Sequence, residues 1–166
     1  FIDYGTDPSA WIAAAEGDEV DVFYETVGEY VDIVPGIGWE NSTIATGSTI
    51  VIRPNQVAQD ADGNTPYADK RVRQAIAMAV DNALCLELGY AGKGSPADNS
   101  NAGPMHPEYD PSVVRLPYDP EKAMALMKEA GMEEYEHEIT SIDDDWRKNT
   151  TDSVAAQLRD AGFKVK

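Results

Sequence analysis

The residues best suited to bind a ligand lie together near the end of the chain. Residues 141–147 read Ser-Ile-Asp-Asp-Asp-Trp-Arg, so an indole and a guanidinium directly follow three carboxylates. Tryptophan and arginine are among the side chains most often found as binding anchors. We therefore predict that Trp146 and Arg147 contact a bound solute, and that an aspartate, Asp144 or Asp145, contacts its cationic end. The alternative is structural: the aspartates cap a helix, whose dipole favours negative charge there, and Trp146 shields a sheet edge.

A second candidate segment offers amide and hydroxyl groups. Residues 89–97 contain three glycines and a proline, a composition typical of loops. Asn99, Ser100 and Asn101 follow, and we predict that Asn101 hydrogen-bonds a ligand. A solvated loop is the alternative. The segment does not match a phosphate-binding loop, because it follows a helix and lacks Gly-Lys-(Ser/Thr) after a strand.

The pattern of residues does not indicate an enzyme active site. The two histidines, His106 and His137, do not form the His-x-x-x-His pair of a zinc site. No Gly-x-Ser-x-Gly motif provides a serine nucleophile, and with 30 acidic residues any carboxylate pair is expected by chance. Asp60–Asn64 fails the spacing of a calcium-binding loop and indicates a turn. We predict no catalytic residue, no metal and no cofactor; an α/β hydrolytic enzyme with a diffuse acidic site stays as the alternative.

The elements around residues 141–147 predict where that segment lies. Residues 138–142 and 163–165 have strand character, and Thr151–Ala161 carries apolar residues at helical spacing. Strand, helix and strand in this order form a βαβ unit, whose strands are normally parallel. In open α/β sheets, ligands bind beyond the carboxyl ends of the strands. Residues 141–147 follow such an end.

Two further helices are marked clearly. Residues 66–84 carry apolar residues in one continuous stripe from Val72 to Leu84, which predicts a single core helix capped by Asp69. Residues 119–131 begin with Asp-Pro and end with glycine, the signals of a helix start and stop. In the first third of the chain we predict a helix over residues 7–17, with Asp7 as its N-cap and Trp11 on a short apolar face. We predict irregular structure over residues 25–48 and strands over residues 1–4, 20–24 and 49–53.

The charge of the chain excludes several classes of partner. The net charge is −17, from 30 acidic and 13 basic residues, so the chain should repel nucleic acids and anionic membranes. A single cysteine, Cys85, allows no internal disulfide. The chain begins at Phe1 and both ends look like strands, so we expect an excised piece of a larger protein, present as a monomer.

Several motifs resemble one protein family. Residues 66–81 read Pro-Tyr-Ala-Asp-Lys-Arg-Val-Arg-Gln-Ala-Ile-Ala-Met-Ala-Val-Asp, which resembles the signature of the family 5 extracellular solute-binding proteins of ABC importers. Tyr118–Gly131 is similar to a second motif of this family. The turn at residues 17–21, Gly-Asp-Glu-Val-Asp, and the run Gly-x-Gly-x-Pro-Ala at residues 92–97 are similar as well.

The resemblance implies an α/β fold of the periplasmic binding protein type (type II), here an incomplete lobe with a mixed sheet flanked by helices. Residues 1–48 would be a remnant of the first lobe and hinge region, and residues 49–166 most of the second, C-terminal lobe. In the family, the loop that corresponds to residues 141–147 lines the cleft between the lobes.

The resemblance also implies a function. The chain would belong to the extracytoplasmic substrate-binding component of an ABC importer, which captures a solute by hinge closure and delivers it to a membrane permease. The parent protein would be periplasmic or at the cell surface, secreted or lipid-anchored. Di- or oligopeptides are the expected solute; nickel or sugars stay open, as does a sensor domain on the same fold. We expect the fragment alone to bind weakly or not at all.

Overall fold

A computed structural model describes residues 1–24, 28, 30–44, 46–100 and 102–166 of the chain. Six α-helices and two short strands are found in this part, together with 3₁₀ turns at Val34–Ile37 and Pro66–Ala68. In chain order the elements are α1 (Pro8–Glu16), α2 (Tyr30–Ile33), α3 (Lys70–Met78), α4 (Asn82–Tyr90), α5 (Pro120–Glu129), β1 (Glu136–His137), α6 (Asp145–Asp160) and β2 (Lys164–Val165). None of these helices is both long and apolar enough to cross a membrane.

The predicted βαβ unit is confirmed, with different boundaries. Strands β1 and β2 are parallel and joined by α6, and Glu136 pairs with Lys164 in their register. The strand predicted over residues 138–142 is wrong, because the paired residues come just before it. Helix α6 begins at Asp145 and not at Thr151. Part of the segment predicted as a loop over residues 141–147 is therefore the first helical turn.

The single helix predicted over residues 66–84 is also wrong, because it is interrupted at Asp81. The Asp81 carboxylate accepts hydrogen bonds from the backbone N–H groups of Ala83 and Leu84, which starts α4. The Asp81 N–H donates to Oε1 of Gln157 in α6 at 2.7 Å. This bond to a distant residue fixes the break. Leu84, predicted in the buried stripe, is 41% exposed.

The core lies where α3 packs on α5 and where α6 covers the same cluster. The buried side chains come from these three helices, from the two residues after α3 and from the residue before β2: Val72, Ala75, Ile76, Met78, Ala79, Val80, Ala123, Met127, Val154, Leu158 and Phe163. Helix α4 packs on α6. The predicted N-caps Asp7, Asp69 and Asp119 each accept a hydrogen bond from the first turn of their helix, which confirms these helix starts.

The three strands predicted in the first third of the chain are not formed. Residues 1–4, 20–24 and 49–53 pair with no strand among the residues that the structure describes. Ile50, Val51 and Ile52 are each more than two-fifths exposed. A β-branched run forms a strand only when a neighbour satisfies its backbone and covers its side chains, and no such neighbour is present in the described part.

His137 of β1 is a buried histidine in an aromatic surrounding. It is 3% exposed, and its Nδ1 lies 3.1 Å from the hydroxyl of Tyr67. The rings of Tyr67, Tyr135 and Phe163 lie within 6 Å of the imidazole ring, centre to centre. Its Nε2 has no hydrogen-bond partner among the described residues. Burial lowers the pKa of His137 below its ordinary value of 6.5.

We expect this histidine to make the fold less stable as the pH falls below about 6.5. In that range His137 is protonated in the unfolded chain but stays neutral in the folded chain, because burial lowers the pKa of His137. The free energy of unfolding therefore decreases with falling pH until the pKa of the folded state is passed.

The measurement is chemical denaturation of the complete gene product and of its His137→Gln variant between pH 7.5 and pH 5. The stability difference between the two proteins should shrink as the pH falls. The variant His106→Gln serves as the control. An equal pH dependence in wild type and His137→Gln would contradict the expectation.

Candidate functional site

Four of the five predicted ligand-binding residues line one cavity. Asp144, Asp145, Trp146 and Arg147 lie along one side of a space of about 640 Å³, a size typical of small-molecule sites. The end of α4 forms a second side, and the start of α1 with Tyr24, Gly28 and Tyr30 forms a third. The fifth, Asn101, lies outside the residues that the structure describes.

The first turn of α6 holds its side chains in a fixed arrangement. Asp144 accepts a hydrogen bond from the Arg147 N–H at 3.1 Å, so it is the N-cap. The second oxygen of the same carboxylate is ion-paired with Nη1 of Arg147. The guanidinium carbon of Arg147 lies 3.9 Å from the centre of the Trp146 ring, a cation–π contact. Asp144 therefore caps the helix, as the structural alternative expected, and also orients Arg147.

A close approach of two helices places this turn. An added Cβ on Gly89 of α4 would lie 2.1 Å from Oγ1 and 2.9 Å from Cα of Thr150, so only glycine fits there. The Thr150 hydroxyl donates to the carbonyl of Trp146 at 2.7 Å. On the same seam, the rings of Tyr90 and Trp146 meet edge to face with centres 5.5 Å apart. Gly89 and Thr150 thus set the distance between α4 and α6, which form two sides of the cavity.

Sequence reasoning missed the wall that α1 contributes. Trp11, predicted as part of a short apolar face, lines the cavity, and its indole N–H donates to the carbonyl of Gly5 at 3.1 Å. Glu87 of α4 also lines the cavity. One signal in the sequence was available: both Trp11 and Trp146 follow a helix-capping aspartate within about one turn. The two helix starts converge on the same space.

The other predicted loop groups bond within the chain. The Asn99 side chain donates to the carbonyls of Ala77 and Leu116 at 3.2 and 3.3 Å, which ties its loop to α3. The Ser100 hydroxyl accepts from the N–H of Ala102 at 3.3 Å. Residues 60–64 form the predicted turn, in which Asp60 accepts from the N–H of Asn64 at 2.8 Å. No group of three or more metal-ligating side chains occurs in the described ranges.

Comparison with known proteins identifies relatives of this chain. Residues 2–166 match the family model "Bacterial extracellular solute-binding proteins, family 5 Middle". A di/tripeptide-binding protein of Pseudomonas aeruginosa is 43% identical over 70 residues, and the dipeptide-binding protein of Escherichia coli is 43% identical over 68 residues. A heme-binding protein of Haemophilus influenzae is 41% identical over 69 residues. These matches cover 40 or 41% of this chain and 12% of each relative.

Solved structures agree with the sequence matches. The chain superposes with a TM-score of 0.75 on peptide-bound OppA of Listeria monocytogenes, at 25% identity over 98% of this chain. It superposes with a TM-score of 0.76 on the substrate-binding domain of an oligopeptide ABC transporter from Bacillus anthracis, at 23% identity over 98% of this chain. The chain covers 34% and 33% of these two structures, about a third of each. Both support the predicted periplasmic binding protein type of fold.

Proposed function

Because this chain belongs to the bacterial extracellular solute-binding proteins of family 5, we propose that it forms part of the substrate-binding component of an ABC importer. The component captures a peptide-like solute and delivers it to a membrane permease. One observation carries the proposal: four of the five residues predicted to bind a solute line one cavity of about 640 Å³. The named relatives that bind dipeptides or tripeptides support a peptide as the solute.

We propose that the cavity is part of a cleft between two lobes. The predicted boundary separates residues 1–48, the first lobe and hinge region, from residues 49–166, the second lobe. The cavity takes walls from both sides of this boundary: α1 with Tyr24, Gly28 and Tyr30 from one, and α4 and α6 from the other. A hinge motion that brings these walls together would enclose the solute and exclude water.

The first turn of α6 supplies the recognition groups in this proposal. Trp146 provides a large rigid apolar face, which gives binding energy at a low entropic cost. The Arg147 guanidinium, held by Asp144, provides donors for a carboxylate or carbonyl of the solute. The helix keeps both groups in place before the solute arrives, so little order has to be gained on binding.

The family also supports a proposal about the location of the protein. Family 5 consists of extracellular solute-binding proteins, and we propose a periplasmic or cell-surface location for the parent protein, secreted or lipid-anchored. Because a substrate-binding component delivers its solute to a permease, we also propose an ABC permease in the membrane as the partner. The family and the named relatives give no support to a hydrolytic enzyme or to a sensor domain.

Thermal denaturation of the complete gene product tests the proposal. Each member of a panel of di- and tripeptides, oligosaccharides, heme and nickel complexes is added in excess. A solute at 100 times its Kd should add about 2.7 kcal/mol of stability. We expect a rise in the melting temperature with peptides and none with the other members. A rise with another member alone would contradict the peptide assignment, and no rise with any member would contradict the proposal.

A further inference from the structure

We infer, on the basis of the proposed function, that the cavity selects peptides that carry a lysine or arginine side chain over peptides that carry an acidic one. The charges of its lining residues support this preference. Glu87, Asp144 and Asp145 are acidic and Arg147 is the one basic side chain among the described lining residues. The formal charge of the lining is therefore −2.

Contacts within the described part of the chain do not neutralise this negative charge. Arg147 is ion-paired with Asp144, so these two groups offset each other. The carboxylates of Glu87 and Asp145 have neither an ion pair nor a hydrogen bond in the described part of the chain. Both side chains are exposed. Two carboxylates of the lining residues are therefore exposed and without a partner in the described part of the chain.

The helix ends at the cavity do not reverse this charge. The starts of α1 and α6 both reach the lining, and each helix start carries roughly half a positive unit charge. The end of α4, which also reaches the lining, carries roughly half a negative unit charge. The three helix ends together offset about half of one negative charge, so the lining stays negative. The net charge of −17 on the whole chain adds a potential of the same sign. A cationic side chain is attracted and an acidic one is repelled.

The chemistry of the walls favours an organic cation. The lining contains the rings of Trp11, Tyr24 and Trp146 and the apolar side chains of Leu88 and Ile142. Aromatic faces attract ammonium and guanidinium groups, and the stem of lysine or arginine can lie along apolar walls. The chain contains one contact of this kind, because the Arg147 guanidinium lies 3.9 Å from the centre of the Trp146 ring.

Isothermal titration calorimetry of the complete gene product with three matched peptides tests the inference. The peptides are Ala-Lys-Ala, Ala-Ala-Ala and Ala-Glu-Ala, titrated into wild type, Glu87→Gln, Asp145→Asn and the double variant. Two controls each remove one negative charge away from the cavity lining, as the single variants do at the lining: Asp152→Asn on the same helix α6, and Glu121→Gln on α5.

We expect Ala-Lys-Ala to bind about tenfold more tightly than Ala-Glu-Ala to wild type. The double variant should lose most of this preference, and the two controls should keep it. If the peptides bind with equal affinity, or if the double variant keeps the preference, the inference is wrong while peptide binding stands. If none of the three peptides binds, the proposed function fails and the inference fails with it.

Discussion

Replacing Trp146 by alanine should weaken peptide binding by the complete gene product about thirtyfold, equivalent to about 2 kcal/mol. The substitution removes the largest rigid face that α6 presents to the cavity. It also removes the ring on which the Arg147 guanidinium rests at 3.9 Å, so the arginine loses part of its orientation. The measurement is a calorimetric titration with the peptide that raises the melting temperature most.

A matched substitution separates binding from folding. Trp39 stacks on Phe23 with ring centres 5.0 Å apart and does not belong to the described cavity lining. Trp39→Ala should therefore leave the affinity unchanged. Wild-type affinity in Trp146→Ala, or an equal loss in both variants, would contradict the role given to Trp146.

Replacing Gly89 by alanine should destabilise the protein, although alanine is the better helix former. In the interior of an exposed helix this change would add about 1 kcal/mol of stability. At Gly89 the new Cβ would lie 2.1 Å from Oγ1 and 2.9 Å from Cα of Thr150. The second contact is with backbone, so α4 and α6 must separate. Overpacking of this kind costs about 1–3 kcal/mol.

Chemical denaturation of the complete gene product measures this effect, with Gly36→Ala as the control. An added Cβ on Gly36 meets nothing within 4 Å, so the control should change the stability little. Adding Thr150→Ala to Gly89→Ala removes the Oγ1 contact but leaves the contacts with Cα and Cβ of residue 150 at 2.9 Å, and should restore part of the loss. Unchanged or increased stability in Gly89→Ala would show that the two helices are not in close contact.

Local signals in the sequence predicted the helix starts well. Asp7, Asp69 and Asp119 cap α1, α3 and α5 as expected, because capping depends on residues within one turn. Parallel pairing of β1 and β2 followed from the order of the elements. The sequence does not predict the start of α6, although Asp144 is a possible cap. The reason is that the apolar pattern begins only later in the helix.

Long-range contacts explain what the sequence did not show. The break between α3 and α4 depends on a hydrogen bond from Asp81 to Gln157, far away in the chain. The β-branched run at residues 49–53 stays unpaired in the described part, since strand propensity alone provides no partner. Trp11 and Trp146 are far apart in the sequence and line the same cavity only in the folded chain.

A crystal structure of the complete gene product with its bound peptide tests the central claim most directly. We predict that the peptide lies in the cavity at the start of α6, in contact with Trp146 and Arg147, with Trp11 on the opposite wall. Ordered peptide density at another place, with the cavity closed to it, would show that the first turn of α6 is structural and that the recognition groups lie elsewhere.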